Sequence, residues 1–171
     1  MGFLATKDNA IFELTPGKSY EKDFKLTQIP FCGPIAPSIL FYKNSILSCN
    51  DSLRQKDSSY YESFQNTISI LYLSLIEEPS IIIEIHGHAS SNEKNSEHLA
   101  LYRAQLIKEI LVAKGINKKR MVVKSWGHNK LIVSNKIIKK AKTKEEKSAL
   151  HTRNQRVVYR VISWDFAEDK N

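Results

Sequence analysis

A run of β-branched residues places the tightest constraint on how this chain folds. Four isoleucines fall within the five residues Ile81-Ile82-Ile83-Glu84-Ile85, and Gly87 follows shortly after. Such a run is typical of a central strand that is buried within a sheet. The sequence therefore predicts a sheet with this strand in its interior and with other elements covering it.

Two segments with helical periodicity flank this strand. From Ser59 to Glu78, and again from Ser96 to Lys114, apolar residues recur every three or four positions, as on one face of an amphipathic helix. Pro79 ends the first predicted helix, and Gly115 ends the second. Both helices can therefore bury one face against the predicted sheet.

Three shorter apolar runs predict further strands. They are Ile39–Phe41, Met121–Val123 and Val157–Val161, while the lysine-rich segment Asn129–Leu150 is predicted to be a loop with a short polar helix. The order of the elements is then β-α-β-α-β-β. Helices that return the chain between neighbouring strands favour an α/β (α+β) two-layer sandwich, with a mixed sheet and both helices on one face.

The positive charge is confined to one part of the chain. The net charge is +8, but residues 117–147 hold 11 Lys or Arg against 2 Glu, so the remainder is nearly neutral. The basic segment lacks the interleaved aromatic residues that stack on single-stranded bases, and no helix-turn-helix signature accompanies it. We therefore expect a solvated lysine surface and no nucleic-acid partner.

Neither a metal site nor a catalytic site is predicted. His86 and His88 share a strand face, but a third ligand is not evident, so we expect histidines that hydrogen-bond a neighbouring loop. No nucleophile elbow or phosphate-binding glycine loop is present, which predicts a protein that is not an enzyme and uses no cofactor. Cys32 and Cys49 are too few for a disulfide scaffold and lack metal-ligand spacing.

Ordered motifs in the second half of the chain resemble those of the OmpA-like family, which includes the C-terminal domains of OmpA, Pal and MotB. The family's I-x-I-x-G-H-T-D-S, L-S-x-x-R-A, G-I-x-x-x-R-l, G-y-G-e and R-x-x-N-R-R-V patterns have similar counterparts here. In order, these are Ile83–Ser91, Leu99 with Arg103-Ala104, Gly115–Met121, Ser125–Gly127 and Arg153–Val157. Ile39–Ser45 is similar to the family's opening strand.

The resemblance implies an OmpA-like domain over residues 38–163, preceded by a β-rich extension or linker over 1–37 and followed by a tail over 164–171. No apolar run is long enough to cross a membrane, and no signal peptide is evident at the start. We therefore expect no membrane span in this chain. The family implies a periplasmic location in a Gram-negative cell envelope, within an outer-membrane-associated protein.

The family also implies non-catalytic binding of the peptidoglycan stem peptide, typically at its diaminopimelate, which anchors an envelope protein to the cell wall. Diaminopimelate carries an ammonium and a carboxylate on one carbon, which a protein acid and an arginine can hold together. The resemblance assigns the carboxylate to Arg103 and the amine to Ser90 and Ala89. Ser96, Asn154 and Arg156 complete the implied ligand set, with a structural link between the last strand and the helices as an alternative for Arg156.

The sequence departs from the family at the ligand acid, because Ser90 stands where the G-H-T-D motif has aspartate. A serine accepts a hydrogen bond but supplies no charge. Glu93 is the nearest acid, and we do not include it in the predicted ligand set. Two hypotheses follow: a peptidoglycan-binding anchor, or a degenerate OmpA-like domain that contacts other envelope proteins in a secretion, gliding or motor complex.

Overall fold

The computed structural model describes residues 38–45 and 58–167 of the 171-residue chain. Within them the elements are β1 (Ile39–Leu40), α1 (Ser58–Glu77), β2 (Ile82–Gly87), α2 (Ser96–Ala113), a 3₁₀ turn (Lys118–Arg120), β3 (Met121–Ser125), α3 (Asn135–Lys140), α4 (Lys144–Thr152) and β4 (Arg156–Ser163). The predicted helices and strands of the domain are present, with ends that differ by at most two residues.

The sheet is mixed and has the strand order β1-β4-β2-β3. β2 runs parallel to β3, pairing Ile85 with Val123, and antiparallel to β4, pairing Ile85 with Tyr159. The parallel pair follows from the α2 crossover between β2 and β3. The predicted α+β fold class is thereby confirmed, with the isoleucine-rich strand in the interior of the sheet.

The core lies between the sheet and the two long helices. Ile83, Ile85 and Val157 point from the sheet into this core, and Ile107 and Leu111 of α2 pack within it. Helix α1 contributes Phe64, Ile68, Leu71 and Leu75 to the same core. All of these side chains are at least 96% buried, so they fix the two long helices against one face of the sheet.

Gly87 sets the distance between β2 and α2. A β-carbon added at this glycine would lie 1.8 Å from the carbonyl oxygen of Ala100. Only a residue without a side chain therefore allows α2 to approach the strand so closely. The close approach brings the middle of α2, including Arg103, over the loop that leaves β2.

The lysine-rich segment is more regular than predicted. In place of a loop with one short polar helix, it forms two helices, α3 and α4. Ser134 and Thr143 begin them by accepting hydrogen bonds from the amides of Ile137 and Glu146, as N-cap residues do. The prediction was wrong here because these helices are short and bury only Ile138 between them, so no continuous apolar face marks them in the sequence.

Several predictions lie outside the described residues. These are the β-rich extension or linker over residues 1–37 and the predictions made for Cys32 and Cys49. At the other end, the amide of Phe166 donates to the carbonyl of Ser80 at 2.8 Å. None of the helices in the described part of the chain combines the length and apolarity that a membrane crossing requires.

Candidate functional site

Arg103 and Glu93 form a buried ion pair beneath the loop that joins β2 to α2. Nη2 of Arg103 lies 2.6 Å from Oε1 of Glu93, and Nη1 lies 2.9 Å from Oε2. Both side chains are 0% exposed. The two parallel hydrogen bonds give the bidentate geometry in which a guanidinium holds a carboxylate most strongly.

The remaining N–H groups of Arg103 donate to backbone carbonyls. Nε donates to Ser45 at 3.1 Å, Nη1 to His88 at 3.1 Å, and Nη2 to Tyr42 at 2.9 Å. The guanidinium also lies 5.1 Å from the ring centroid of Phe41. Because a guanidinium has five N–H donors, every donor of Arg103 is engaged within the protein.

The carboxylate of Glu93 is equally well satisfied. In addition to Arg103, it accepts hydrogen bonds from the amides of Asn44 and Ser90, each at 2.8 Å. The side chain of Asn44 in turn accepts from the amide of Lys94 at 3.1 Å. Glu93 thus joins the loop after β1 to the loop after β2, and these contacts hold its carboxylate against Arg103.

Of the predicted ligand residues, Ser90 contacts this ion pair, because its amide donates to Glu93, and Ala89 precedes it in the chain. Ala89 and Ser90 are fully buried, and the Ala89 amide donates to the carbonyl of Gly127 at 2.7 Å. The hydroxyl of Ser90 lies 2.7 Å from Nδ1 of His151. Burial lowers the pKa of His151, and the charge of Lys43 acts in the same direction. Ser96 begins α2, and its hydroxyl contacts Nδ1 of His128 at 2.7 Å.

The structure places Asn154 in a different environment, although it is also fully buried. Its amide group donates to the carbonyl of Val133 and accepts from the amide of the same residue, both at 2.9 Å. This pair of bonds fixes the segment between β3 and α3 against the start of β4. Asn154 therefore has a structural contact that the sequence motif did not indicate.

Arg156 lies on the sheet face opposite to the helices. Its neighbour Val157 points into the helix-covered core, and successive side chains of a strand point to opposite faces. Nη2 of Arg156 donates to the carbonyl of Lys130 at 3.3 Å. The alternative role predicted for Arg156, a link between the last strand and the helix layer, is therefore wrong.

The two strand-end histidines differ from each other. His86 hydrogen-bonds the carboxylate of Glu84, which also accepts from Arg160, and these contacts lower the pKa of Glu84. His88 is 3% exposed and lies beside the backbone of Lys130, in the loop that follows β3. The hydrogen bond between this histidine and a neighbouring loop stays a prediction. Burial, reinforced by the charge of Arg156, lowers its pKa to about 3.

The sequence profile of the OmpA family matches residues 57–145, which is more than half of the chain. The chain belongs to the OmpA family. Comparison with curated proteins gives no significant match.

Several solved structures have the same fold. The peptidoglycan-associated lipoprotein of Burkholderia pseudomallei is 20% identical, with a TM-score of 0.52 over 72% of this chain and 89% of its own. The C-terminal domain of Helicobacter pylori MotB is 17% identical, with a TM-score of 0.53 over 74% and 86%. The cell wall anchor of the type VI secretion system of Pseudomonas aeruginosa is 18% identical, with a TM-score of 0.52 over 73% and 76%.

Glu93 belongs to the site of this OmpA domain, but the sequence analysis did not include it among the predicted site residues. The signal for it was modest: an acid three residues after Ser90, in the loop that carries the altered motif. What brings Glu93 to Arg103 is the contact with Asn44, which lies 49 residues away in the chain. In the predicted set, Arg103 and Ser90 are therefore connected through Glu93, by its bonds to the guanidinium and to the Ser90 amide.

Proposed function

We propose that this OmpA domain is a non-catalytic peptidoglycan-binding module, which anchors a periplasmic envelope protein or complex to the cell wall through the diaminopimelate of the stem peptide. Membership of the OmpA family supports this role. So do the names of two structures with the same fold, a peptidoglycan-associated lipoprotein and a cell wall anchor. Arg103 is the proposed partner of the ligand carboxylate.

The observation that carries the proposal is the bidentate contact between Arg103 and Glu93. It places a carboxylate against the guanidinium in the geometry that a ligand carboxylate would adopt. Since all five N–H donors are engaged, a ligand binds Arg103 by exchange, with its carboxylate replacing that of Glu93.

The second candidate function is a protein-interaction module within an envelope complex. The same ion pair also supports this second candidate. The charge of the Arg103 guanidinium is already neutralised by Glu93 inside the protein, so it is not available to a wall peptide. On this view Arg103 and Glu93 serve only to fix the loops after β1 and β2. The two candidates differ in whether an added ligand can displace Glu93.

Binding to purified sacculi tests the proposal. We expect the full chain to be retained by sacculi, and the Arg103→Gln variant to lose this binding by about tenfold or more, as for a lost charged hydrogen bond. Arg160→Gln is the matched control, because Arg160 is exposed and pairs with Glu84 on the other sheet face. Absence of retention of the wild-type chain, or equal loss in both variants, would contradict anchoring through Arg103.

Two further measurements separate specific binding from charge attraction and test the exchange of carboxylates directly. Retention is measured at low and moderate salt, because attraction between the lysines of residues 117–147 and anionic wall polymers fades with screening. The Glu93→Ala variant leaves Arg103 without its carboxylate. If exchange is correct, free diaminopimelate raises the melting temperature of Glu93→Ala more than that of wild type. Equal effects would favour the interaction module.

A further inference from the structure

Unpartnered hydrogen-bond donors cluster on the sheet face opposite to the helices, near the loop that follows β3. Arg156 is 6% exposed, and its Nε and Nη1 are buried without a partner among the described residues. Nε1 of Trp126 is likewise buried without a partner among those residues. Buried polar side chains in folded proteins nearly always have partners, so this concentration requires an explanation.

These groups are neighbours in space. The amide of His88 donates to the carbonyl of Arg156 at 2.9 Å. The ring of His86 lies 6.4 Å from that of His88 and 5.9 Å from that of Trp126. Nζ of Lys130 lies 3.5 Å from the Trp126 ring centroid, and the Lys130 carbonyl accepts from Arg156. Arg156 and Trp126 are thus linked through the two histidines and through Lys130, at the same end of the sheet.

The region is also strongly positive. Arg156 has no partner carboxylate among the described residues, and the ammonium groups of Lys130 and Lys124 lie 3.5 and 4.6 Å from the Trp126 ring centroid. Glu84, on the same face, is already engaged by His86 and Arg160. A buried cation that lacks a counter-charge is costly, because desolvation is not repaid by an ion pair.

An anion that accepts several hydrogen bonds would satisfy these groups together. We propose that Arg156 and Trp126 form a phosphate-binding site, with Lys130 at its exposed entrance and Lys124 beside it. A phosphate dianion fits better than a carboxylate, because it accepts more hydrogen bonds and balances more than one cation. The site is separate from Arg103, which lies on the helix side of the sheet and has every donor engaged.

Inorganic phosphate, added to the full chain at constant ionic strength, tests the site. We expect a saturable rise in melting temperature for wild type, since a ligand that binds only the folded state stabilises it. Trp126→Phe keeps the aromatic ring but removes the Nε1 donor, and should weaken phosphate binding about tenfold. Arg156→Met should abolish the phosphate effect. Arg160→Gln, on the same strand and face, should leave it unchanged.

Several outcomes would overturn the proposal. These are the absence of a saturable effect in wild type, its persistence in both Trp126→Phe and Arg156→Met, or its loss in Arg160→Gln. Acetate at the same ionic strength should bind at least about tenfold more weakly, since a carboxylate has fewer acceptors and less charge; equal binding would refute the phosphate assignment. If Arg156→Met does not fold, Trp126→Phe still decides the question.

Vesicles distinguish the source of the phosphate group. Retention on phosphatidylglycerol but not phosphatidylcholine vesicles, with loss in Trp126→Phe, assigns the group to an anionic lipid. Saturable binding of inorganic phosphate without vesicle retention assigns it to a soluble phosphate compound. Both results support a phosphate site. The Arg103 variants should bind phosphate as wild type does, because Arg103 lies on the other side of the sheet.

Discussion

Replacement of Glu93 by Gln should destabilise the domain severely. The Glu93 carboxylate accepts two hydrogen bonds from Arg103 and one each from the amides of Asn44 and Ser90. Glutamine preserves the volume but removes the charge, so the fully buried guanidinium is left without its counter-ion. Removal of one partner from a buried ion pair costs about 3 to 5 kcal/mol. That is a large share of the roughly 5 to 15 kcal/mol by which domains are stable.

Thermal and urea unfolding of the full chain measure this loss. For a chain of this length we expect the melting temperature to fall by roughly 6 to 20 °C, at about 2 to 4 °C for each kcal/mol. Arg103→Gln should be comparably destabilised. Arg160→Gln, which breaks the pair between exposed Arg160 and Glu84, should cost about 1 kcal/mol or less.

A double-mutant cycle separates the ion pair from the surrounding hydrogen bonds. Arg103→Met combined with Glu93→Gln leaves neither charge alone, so the double variant should be less destabilised than the sum of the two single variants. Strict additivity, or a loss below about 1 kcal/mol in Glu93→Gln, would refute the view that this pair is a structural centre of the domain.

Three other changes test the packing around the site. Folding lowers the pKa of His88 from 6.5 to about 3, so the free energy of unfolding should decrease as the pH is lowered from 6.5 to 5, by at most about 1.4 kcal/mol per pH unit. In urea titrations, His88→Gln should reduce this pH dependence. Gly87→Ala forces a β-carbon against the Ala100 carbonyl and should cost about 3 kcal/mol or more in the same assay; a cost below 1 kcal/mol would show that α2 yields easily. Asn154→Ala leaves both backbone groups of Val133 unpartnered, so hydrogen exchange at the Val133 amide should accelerate by tenfold or more, whereas unchanged exchange would contradict the proposed clamp.

The sequence was sufficient to predict the helices and strands that bury an apolar face. The isoleucine run of β2 and the periodicity of α1 and α2 reflect the core that these residues form. By contrast, α4 has no buried residue and α3 buries only Ile138 among its residues. Their helical structure depends on N-capping by Ser134 and Thr143, which a reading based on hydrophobic period does not detect.

The site was less predictable, because its contacts join distant parts of the chain. The Glu93 carboxylate that pairs with Arg103 also accepts a hydrogen bond from the amide of Asn44, 49 residues earlier. The burial of His88, which lowers its pKa to about 3, is likewise a property of its surroundings, and no local pattern encodes it. The side of the sheet taken by Arg156 was predictable in principle, since it follows from strand alternation with the buried Val157.

Arg103 and Arg156 are both buried cations, but only Arg103 has a carboxylate partner among the described residues, and this difference has a measurable consequence. Arg103 is balanced by Glu93, so a ligand there exchanges one carboxylate for another and gains little net stabilisation of the fold. Arg156 is unbalanced, so an anion there adds interactions that the free protein lacks. At equal occupancy, phosphate should therefore raise the melting temperature of the wild-type chain more than diaminopimelate does. Glu93→Ala should reverse this order, because it converts Arg103 into the same unbalanced state as Arg156.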